Sequence, residues 1–287
     1  MNGPRAAADA YAHAALTRES YPMKTLDVNG VELATVDRGA GVPVVLVHGF
    51  PLDHTMWDAQ VEALARAYRV IAPDLRGFGR SGVTEGRVTI EQFADDLAAL
   101  LDGLGVDERV VLCGQSMGGY VAWQFWRKYA PRLRALVLCD TRAVGDTPEA
   151  ARGRLETADR VLREGPAPLA EAMLPKLLPE SSRKKNPHVA DSLRRVILAA
   201  DPRGIAAAAR GMAERPDVTA LLGQIRCPTL VLVGRLDRIS TPDEMRAIAD
   251  AIPGSRFVPI AEAGHMSPME NPDAVSAAML GFLAESL

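Results

Sequence analysis

Short, almost wholly apolar runs alternate along this chain with stretches whose apolar residues recur every three or four positions. The runs at 42–47, 70–72, 109–113, 133–139, 229–233 and 257–260 are too short for helices. They lack the polar alternation of a half-exposed strand and so predict strands buried on both faces. Between them Trp57, Val61, Leu64, Ala65 and Tyr68 fall at helical spacing, as do Ile90, Phe93, Leu97, Leu100, Leu101 and Leu104, with Thr89 placed to cap the second helix. Helices are also predicted over 119–129, 242–251 and 272–287. Residues 25–36 alternate around Asn29-Gly30, a dipeptide that accepts positive φ and so marks a hairpin. Buried strands alternating with helices predict an α/β fold: a mostly parallel central sheet with helices on both faces.

The pattern changes over 143–216, where only helical spacing is found and Pro166, Pro168, Pro175, Pro179, Pro187 and Pro202 punctuate it. This predicts a helical cap inserted into a core made of 23–142 and 217–287. Residues 1–22 are rich in alanine but interrupted by Asp9, His13, Arg18 and Glu19. They lack the unbroken apolar centre of a signal peptide and are expected to be a poorly ordered leader.

Composition narrows the function classes. The 287 residues are 48% hydrophobic, enough for one large α/β domain or two small ones. The net charge of −3 argues against a nucleic-acid partner. No run reaches 18 apolar residues, so no membrane partner is expected. Cys113, Cys139 and Cys227 are too few and too scattered for a disulfide framework or a metal site. They read as small buried residues of a cytoplasmic protein, and a homo-oligomer is compatible with the sequence.

The chemistry is concentrated at Gly114-Gln115-Ser116-Met117-Gly118, a G-x-S-x-G turn between a predicted strand and a predicted helix. Such a turn strains the serine backbone and tolerates only small neighbours. It presents the hydroxyl at a helix N-terminus, where negative charge is favoured. A serine nucleophile needs a base, and the base needs an orienting acid. Of five histidines, His13 lies in the leader and His188 in the cap, while His54 lies among polar loop residues and His48 closes a buried strand, where it would order the loop. His265 follows the last strand, where the chain order Ser…Asp…His requires the base. For the acid, Asp237 and Asp140 both follow strands. Asp237 is favoured because it sits on a freer loop, with Ser240-Thr241-Pro242 able to cap the next helix without it. Asp140 has Thr141 and Arg142 beside it to satisfy its carboxylate. The N–H groups of Met117 and Phe50 are the expected oxyanion donors, and Phe50 is also expected to wall the substrate pocket. Asp74 reads as a loop-ordering aspartate near Arg76 or Arg80.

These motifs resemble the α/β-hydrolases with a helical cap, over all of the chain except the leader. The resemblance rests on His48-Gly49-Phe50-Pro51, on Pro73-Asp74-Leu75-Arg76-Gly77-Phe78-Gly79-Arg80-Ser81, on Gly114 to Gly119, on Gly234 to Asp237 and on Gly264-His265. Within that fold the chain is most similar to 3-oxoadipate enol-lactonases and to neighbouring esterases, haloperoxidases and perhydrolases. The resemblance implies Ser116 as nucleophile, His265 as base, Asp237 as acid, and Phe50 and Met117 as oxyanion and substrate-binding residues. It also implies a cis Phe50–Pro51 bond, a small-molecule ester or lactone as substrate, and neither metal nor organic cofactor. C–C bond hydrolysis, perhydrolysis and a ligand-receptor role share this triad and stay open. Relatives that open epoxides carry aspartate where Ser116 stands. The cap has no Phe, Trp or Tyr, unlike the aromatic lid expected over an enol-lactone. It carries 13 Lys and Arg against 10 Asp and Glu, a surplus read as ordinary solvated helix faces.

Overall fold

The computed structural model describes residues 21–286. The expected leader lies outside them except for Tyr21 and Pro22; the Arg38 guanidinium sits over the Tyr21 ring, 4.8 Å from its centroid.

Strands β1 (Met23–Val28) and β2 (Val31–Arg38) form the hairpin predicted around Asn29-Gly30. Asn29 and Gly30 both take positive φ, 49° and 75°, as a two-residue turn matching the strand twist requires. The chain continues through β3 (Pro43–Val47), α1 (Asp58–Leu64), β4 (Arg69–Pro73), α2 (Ile90–Gly103), β5 (Val110–Gln115), α3 (Met117–Tyr129) and β6 (Leu133–Cys139). After a helical stretch come β7 (Thr229–Gly234), α9 (Pro242–Ala251), β8 (Arg256–Ile260), the single turn α10 (Ser267–Glu270) and α11 (Pro272–Ser286). The eight strands make one sheet in the order β1-β2-β4-β3-β5-β6-β7-β8. It is parallel from β4 onward, and β1 and β2 run antiparallel at one edge.

The apolar runs follow from this architecture. Successive side chains of a strand point to opposite faces. Val45 and Val47 join Leu112, Leu136, Leu138, Val231 and Val233 in one core, which Phe93, Leu97, Trp123 and Met245 complete. Val44 and Leu46 join Val111, Val137, Leu230 and Leu232 in the other, against Trp57, Val61, Val275 and Leu283. Each fully buried Val or Leu contributes about 1.5–3 kcal/mol, so neither face can turn polar. Thr89 caps α2 as expected, accepting from the Gln92 N–H at 3.1 Å. The first helical stretch is shorter than its pattern: Trp57 sits in a 3-10 turn before α1, and Ala65 and Tyr68 lie beyond it. Cys113 and Cys139 are buried, but Cys227 is only partly so.

Between β6 and β7 the chain forms α4 (Pro148–Glu164), α5 (Ala167–Leu177), α6 (Glu180–Lys185), α7 (Pro187–Ala199) and α8 (Pro202–Ala213). α4 packs on α8 and α5 on α7. On α4 the inward residues are Ala158 and Val161, while Leu155 and Leu162 face outward. α8 lies so close to the core loops that a Cβ on Gly204 would stand 2.0 Å from the Gly77 carbonyl oxygen. The Val88 N–H donates to the Ala207 carbonyl across the same contact. Many of the charges here are spent in ion pairs: Arg154 and Arg215 share Asp146, Arg194 meets Glu171, and Arg210 meets Asp159. No helix among the described residues is long and apolar enough to cross a membrane.

Candidate active site

Ser116 sits at the junction of β5 and α3 with φ 50° and ψ −111°, a region that costs a non-glycine residue about 1–3 kcal/mol. The neighbours that permit it are glycines for a steric reason. A Cβ on Gly114 would lie 2.2 Å from the Gly118 carbonyl oxygen, and one on Gly118 would lie 2.2 Å from that of Val47. The helix begins at Met117, two residues earlier than the sequence pattern suggests, which places Ser116 directly at its N-terminus.

The structure brings Ser116, His265 and Asp237 together. The Ser116 hydroxyl lies 3.0 Å from His265 Nε2, and His265 Nδ1 lies 2.9 Å from Asp237 Oδ2. A carboxylate only accepts, so Nδ1 carries the proton and Nε2 is left to receive that of the serine. The Asp237 carboxylate also accepts from the Ile239 N–H at 2.7 Å and the Ser240 hydroxyl at 2.6 Å. Burial opposes its charge, but His265, Ser240 and Ile239 outweigh that and hold the carboxyl below its usual range.

Asp140 does not reach the imidazole, and the reason differs from the one the sequence suggested. Neither Thr141 nor Arg142 satisfies its carboxylate. The Thr141 hydroxyl donates to the Ser116 carbonyl, and Arg142 pairs with Glu244. The Asp140 carboxylate instead accepts from the Gly234 N–H at 2.8 Å and from the Ser267 hydroxyl. It thereby braces the loop that leads to Asp237 against the loop of His265. Complete burial, aided by the nearby Asp237 charge, pushes its carboxyl well above the usual range.

The two expected oxyanion donors sit on abutting loops. Met117 opens α3, where first-turn amides have no intrahelical partner. Phe50 follows Gly49 beyond β3 and is joined to Pro51 by a cis peptide. A Cβ on Gly49 would lie 2.1 Å from Gln115 Oε1, so the loop of Phe50 packs on the residue before the serine. The Phe50 ring meets Phe78 edge-on at 6.2 Å.

Other histidines and acids order these loops. His48 is buried; its Nε2 accepts from the Leu75 N–H and its Nδ1 donates to the Gly49 carbonyl, both at 2.9 Å. His54 is also buried, in a 3-10 turn that Asp53 caps. Its Nδ1 donates to Asp74 at 2.7 Å and its N–H to the same oxygen at 2.9 Å. Asp74 does order the loop, through His54 and the Arg80 N–H, whereas the Arg76 side chain pairs with Asp96. Asp53, His54 and Asp74 offer ligand atoms within 4.8 Å of one another, but both Asp74 oxygens are already engaged within the protein and we assign the cluster no metal.

Three residues of the site escaped the sequence reading. Ser240 is diverted from the helix cap, which Thr241 forms alone with Glu244 in a capping box. Gln115 donates from Nε2 to the His265 carbonyl at 2.7 Å, tying the serine turn to the histidine loop. Glu270 accepts from the Gly264 and Met266 N–H groups at 2.9 and 3.0 Å. Gln115 occupies the variable position of the motif, and Glu270 reads as one more polar residue of a turn; nothing local distinguishes either.

With this geometry in hand, comparison with known proteins defines the class. The family model for the alpha/beta hydrolase fold matches residues 42–272, and the chain belongs to that family. A thermophilic esterase from Thermogutta terrifontis, solved with malate bound, is 53% identical over 92% of this chain and 99% of its own, with a TM-score of 0.90. The enol-lactonase from Burkholderia xenovorans is 32% identical over 91% of this chain and all of its own, with a TM-score of 0.84. The 3-oxoadipate enol-lactonase 1 of Acinetobacter baylyi is 29% identical over 93% of this chain and 96% of its own.

Proposed function

We propose that the protein is a serine hydrolase that cleaves a small carboxylic ester or lactone through an acyl-enzyme. The observation that carries this reading is the continuous hydrogen-bonded line Ser116–His265–Asp237 behind a strained serine. His265 Nε2 takes the hydroxyl proton as Ser116 Oγ attacks the carbonyl carbon. The oxyanion that forms is held by the Met117 and Phe50 N–H groups, and Asp237 stabilises the imidazolium. His265 then returns the proton to the leaving alkoxide, which departs and leaves the acyl group on Ser116. Water, deprotonated by His265, attacks the ester; His265 passes that proton to Ser116 Oγ as it leaves, and the acid is released. In a lactone the leaving alkoxide is tethered to the acyl group, so one product results. The esterase and enol-lactonase relatives support both substrate shapes.

In this reading 23–142 and 217–287 form the catalytic core and 143–216 a cap over it, working in the cytoplasm on a small molecule. The test is a panel of p-nitrophenyl esters and five-membered lactones, run beside labelling with a fluorophosphonate. Turnover, with the label on Ser116 and both lost in Ser116→Ala, is the expected result. Ester turnover by Ser116→Ala at the wild-type rate would remove the reading.

A further inference from the structure

His265 lies on an irregular turn between β8 and α10, yet its imidazole meets two partners with hydrogen-bond precision. Three consecutive amides of that turn are tied down. The His265 N–H donates to the Leu177 carbonyl at the end of α5, at 3.1 Å. The Gly264 and Met266 N–H groups, one on each side, converge on a single oxygen, Oε1 of Glu270. Glu270 is 6% exposed. A carboxylate that only ended a short helix would point to water, because burying it is costly unless hydrogen bonds compensate. This one turns inward and reaches back four residues to Met266 and six to Gly264. Its second oxygen, Oε2, is buried as well; burial pushes this carboxyl up while the Ser182 hydroxyl of α6 favours its charge, and both residues line a cavity of about 220 Å³. Lys185 and Glu262 at the same cavity pair with each other and leave Glu270 to the turn.

We infer that Glu270 is a positioning residue, which sets the place of the His265 imidazole by pinning the amides on both sides of it. The inference rests on the proposed role of His265 as base. What the turn needs from position 270 is an acceptor oxygen at that reach, and Glu270→Gln retains one. Glu270→Ala removes it and frees two amides flanking the base. A displacement of about 1 Å in a catalytic group can cost about 10²-fold. Glu270→Ala is therefore expected to lose about 10²-fold in kcat for a p-nitrophenyl ester with KM nearly unchanged. Glu270→Gln should stay within about threefold of wild type, a rescue set by the retained acceptor and the near-identical reach.

A second readout needs no turnover. In protein labelled with ¹⁵N-histidine, the downfield Nδ1 proton resonance of His265, assigned by its loss in His265→Ala, should persist in Glu270→Gln. In Glu270→Ala it should shift or exchange away. If Glu270→Ala does not fold, Glu270→Asp, shorter by one methylene, takes its place with the same expectations. A folded Glu270→Ala or Glu270→Asp with wild-type kcat and an unmoved resonance overturns the inference. So does a Glu270→Gln as impaired as Glu270→Ala, which would make charge, not reach, the requirement. If wild type neither hydrolyses esters nor takes the phosphonate, the reading of the site fails, and the resonance still decides whether Glu270 holds the ring.

Discussion

Asp140 and Asp237 follow adjacent parallel strands, β6 and β7, and only Asp237 touches His265, at 2.9 Å. The Asp140 carboxylate is turned to the Gly234 N–H and the Ser267 hydroxyl. It acts as a brace between the two loops, and an asparagine keeps an acceptor for the Gly234 N–H. Asp237→Asn should lower kcat by roughly 10³- to 10⁴-fold, because the amide supports the wrong imidazole tautomer and no longer stabilises the imidazolium. Asp140→Asn should cost less than about tenfold. Steady-state kinetics of both variants on one ester decide the matter, and the opposite ranking would move the acid to Asp140.

Ser240 shares the Asp237 carboxylate with His265. Its hydroxyl donates to Asp237 Oδ2 at 2.6 Å and lies 3.3 Å from His265 Nδ1. Ser240→Ala removes one charge-assisted bond from Oδ2, the oxygen that faces His265, while the Ile239 N–H still holds Oδ1. A loss of about 10- to 10²-fold in kcat is expected, the equivalent of the roughly 1.5–3 kcal/mol such a bond contributes. The helix cap is unaffected, since Thr241 provides it, so the melting temperature should fall only by the few degrees that one buried hydrogen bond accounts for. A large fall in melting temperature with unchanged kcat would show that Ser240 is structural only.

Two glycine substitutions should act in opposite directions. A Cβ on Gly118 meets backbone oxygen of Val47 at 2.2 Å and of His48 at 2.9 Å, and neither can yield. Gly118→Ala should cost more than about 3 kcal/mol or abolish folding. Gly153 is exposed within α4, and its Cβ would meet nothing within 4 Å. Gly153→Ala should add about 0.5–1 kcal/mol through helix propensity. Urea denaturation compares the two, and a destabilised Gly153→Ala would contradict the packing described for α4.

The pair His54–Asp74 predicts a pH dependence of stability. Burial works against charge on His54, but Asp74 overcomes it and raises the imidazole above its usual 6.5. Burial likewise opposes Asp74, whose carboxyl is nevertheless lowered from 3.8 by His54 and the Arg80 N–H. The Asp74 contribution is present above 3.8 and fades only as pH falls through its lowered folded value. The His54 contribution is complete below 6.5 and fades as pH rises through its raised folded value. The stability difference between wild type and His54→Ala should be about 1.5–3 kcal/mol near pH 5.5 and shrink toward pH 9. A difference that grows with pH in denaturant titrations would reverse the assignment.

Much of this protein follows from short-range rules written in its sequence. The glycines at 114 and 118 surround Ser116 because a strand-to-helix turn leaves no room for a Cβ. Asn29-Gly30 and Thr89 act within their own few residues, and the apolar runs are strands because both faces of the sheet are covered. What only the tertiary structure decided depends on contacts between distant stretches. His265 meets Ser116 across 149 positions, and Gln115 meets the His265 carbonyl across 150. Asp140 turned from its neighbours to Gly234, 94 positions on, and to Ser267, 127 positions on. A carboxylate next to two willing donors in sequence is claimed by whichever amide or hydroxyl the packed strands bring into line with it. For Asp140, Ser240 and Glu270 that choice is made by the sheet order and the close approach of the loops, which no local pattern records.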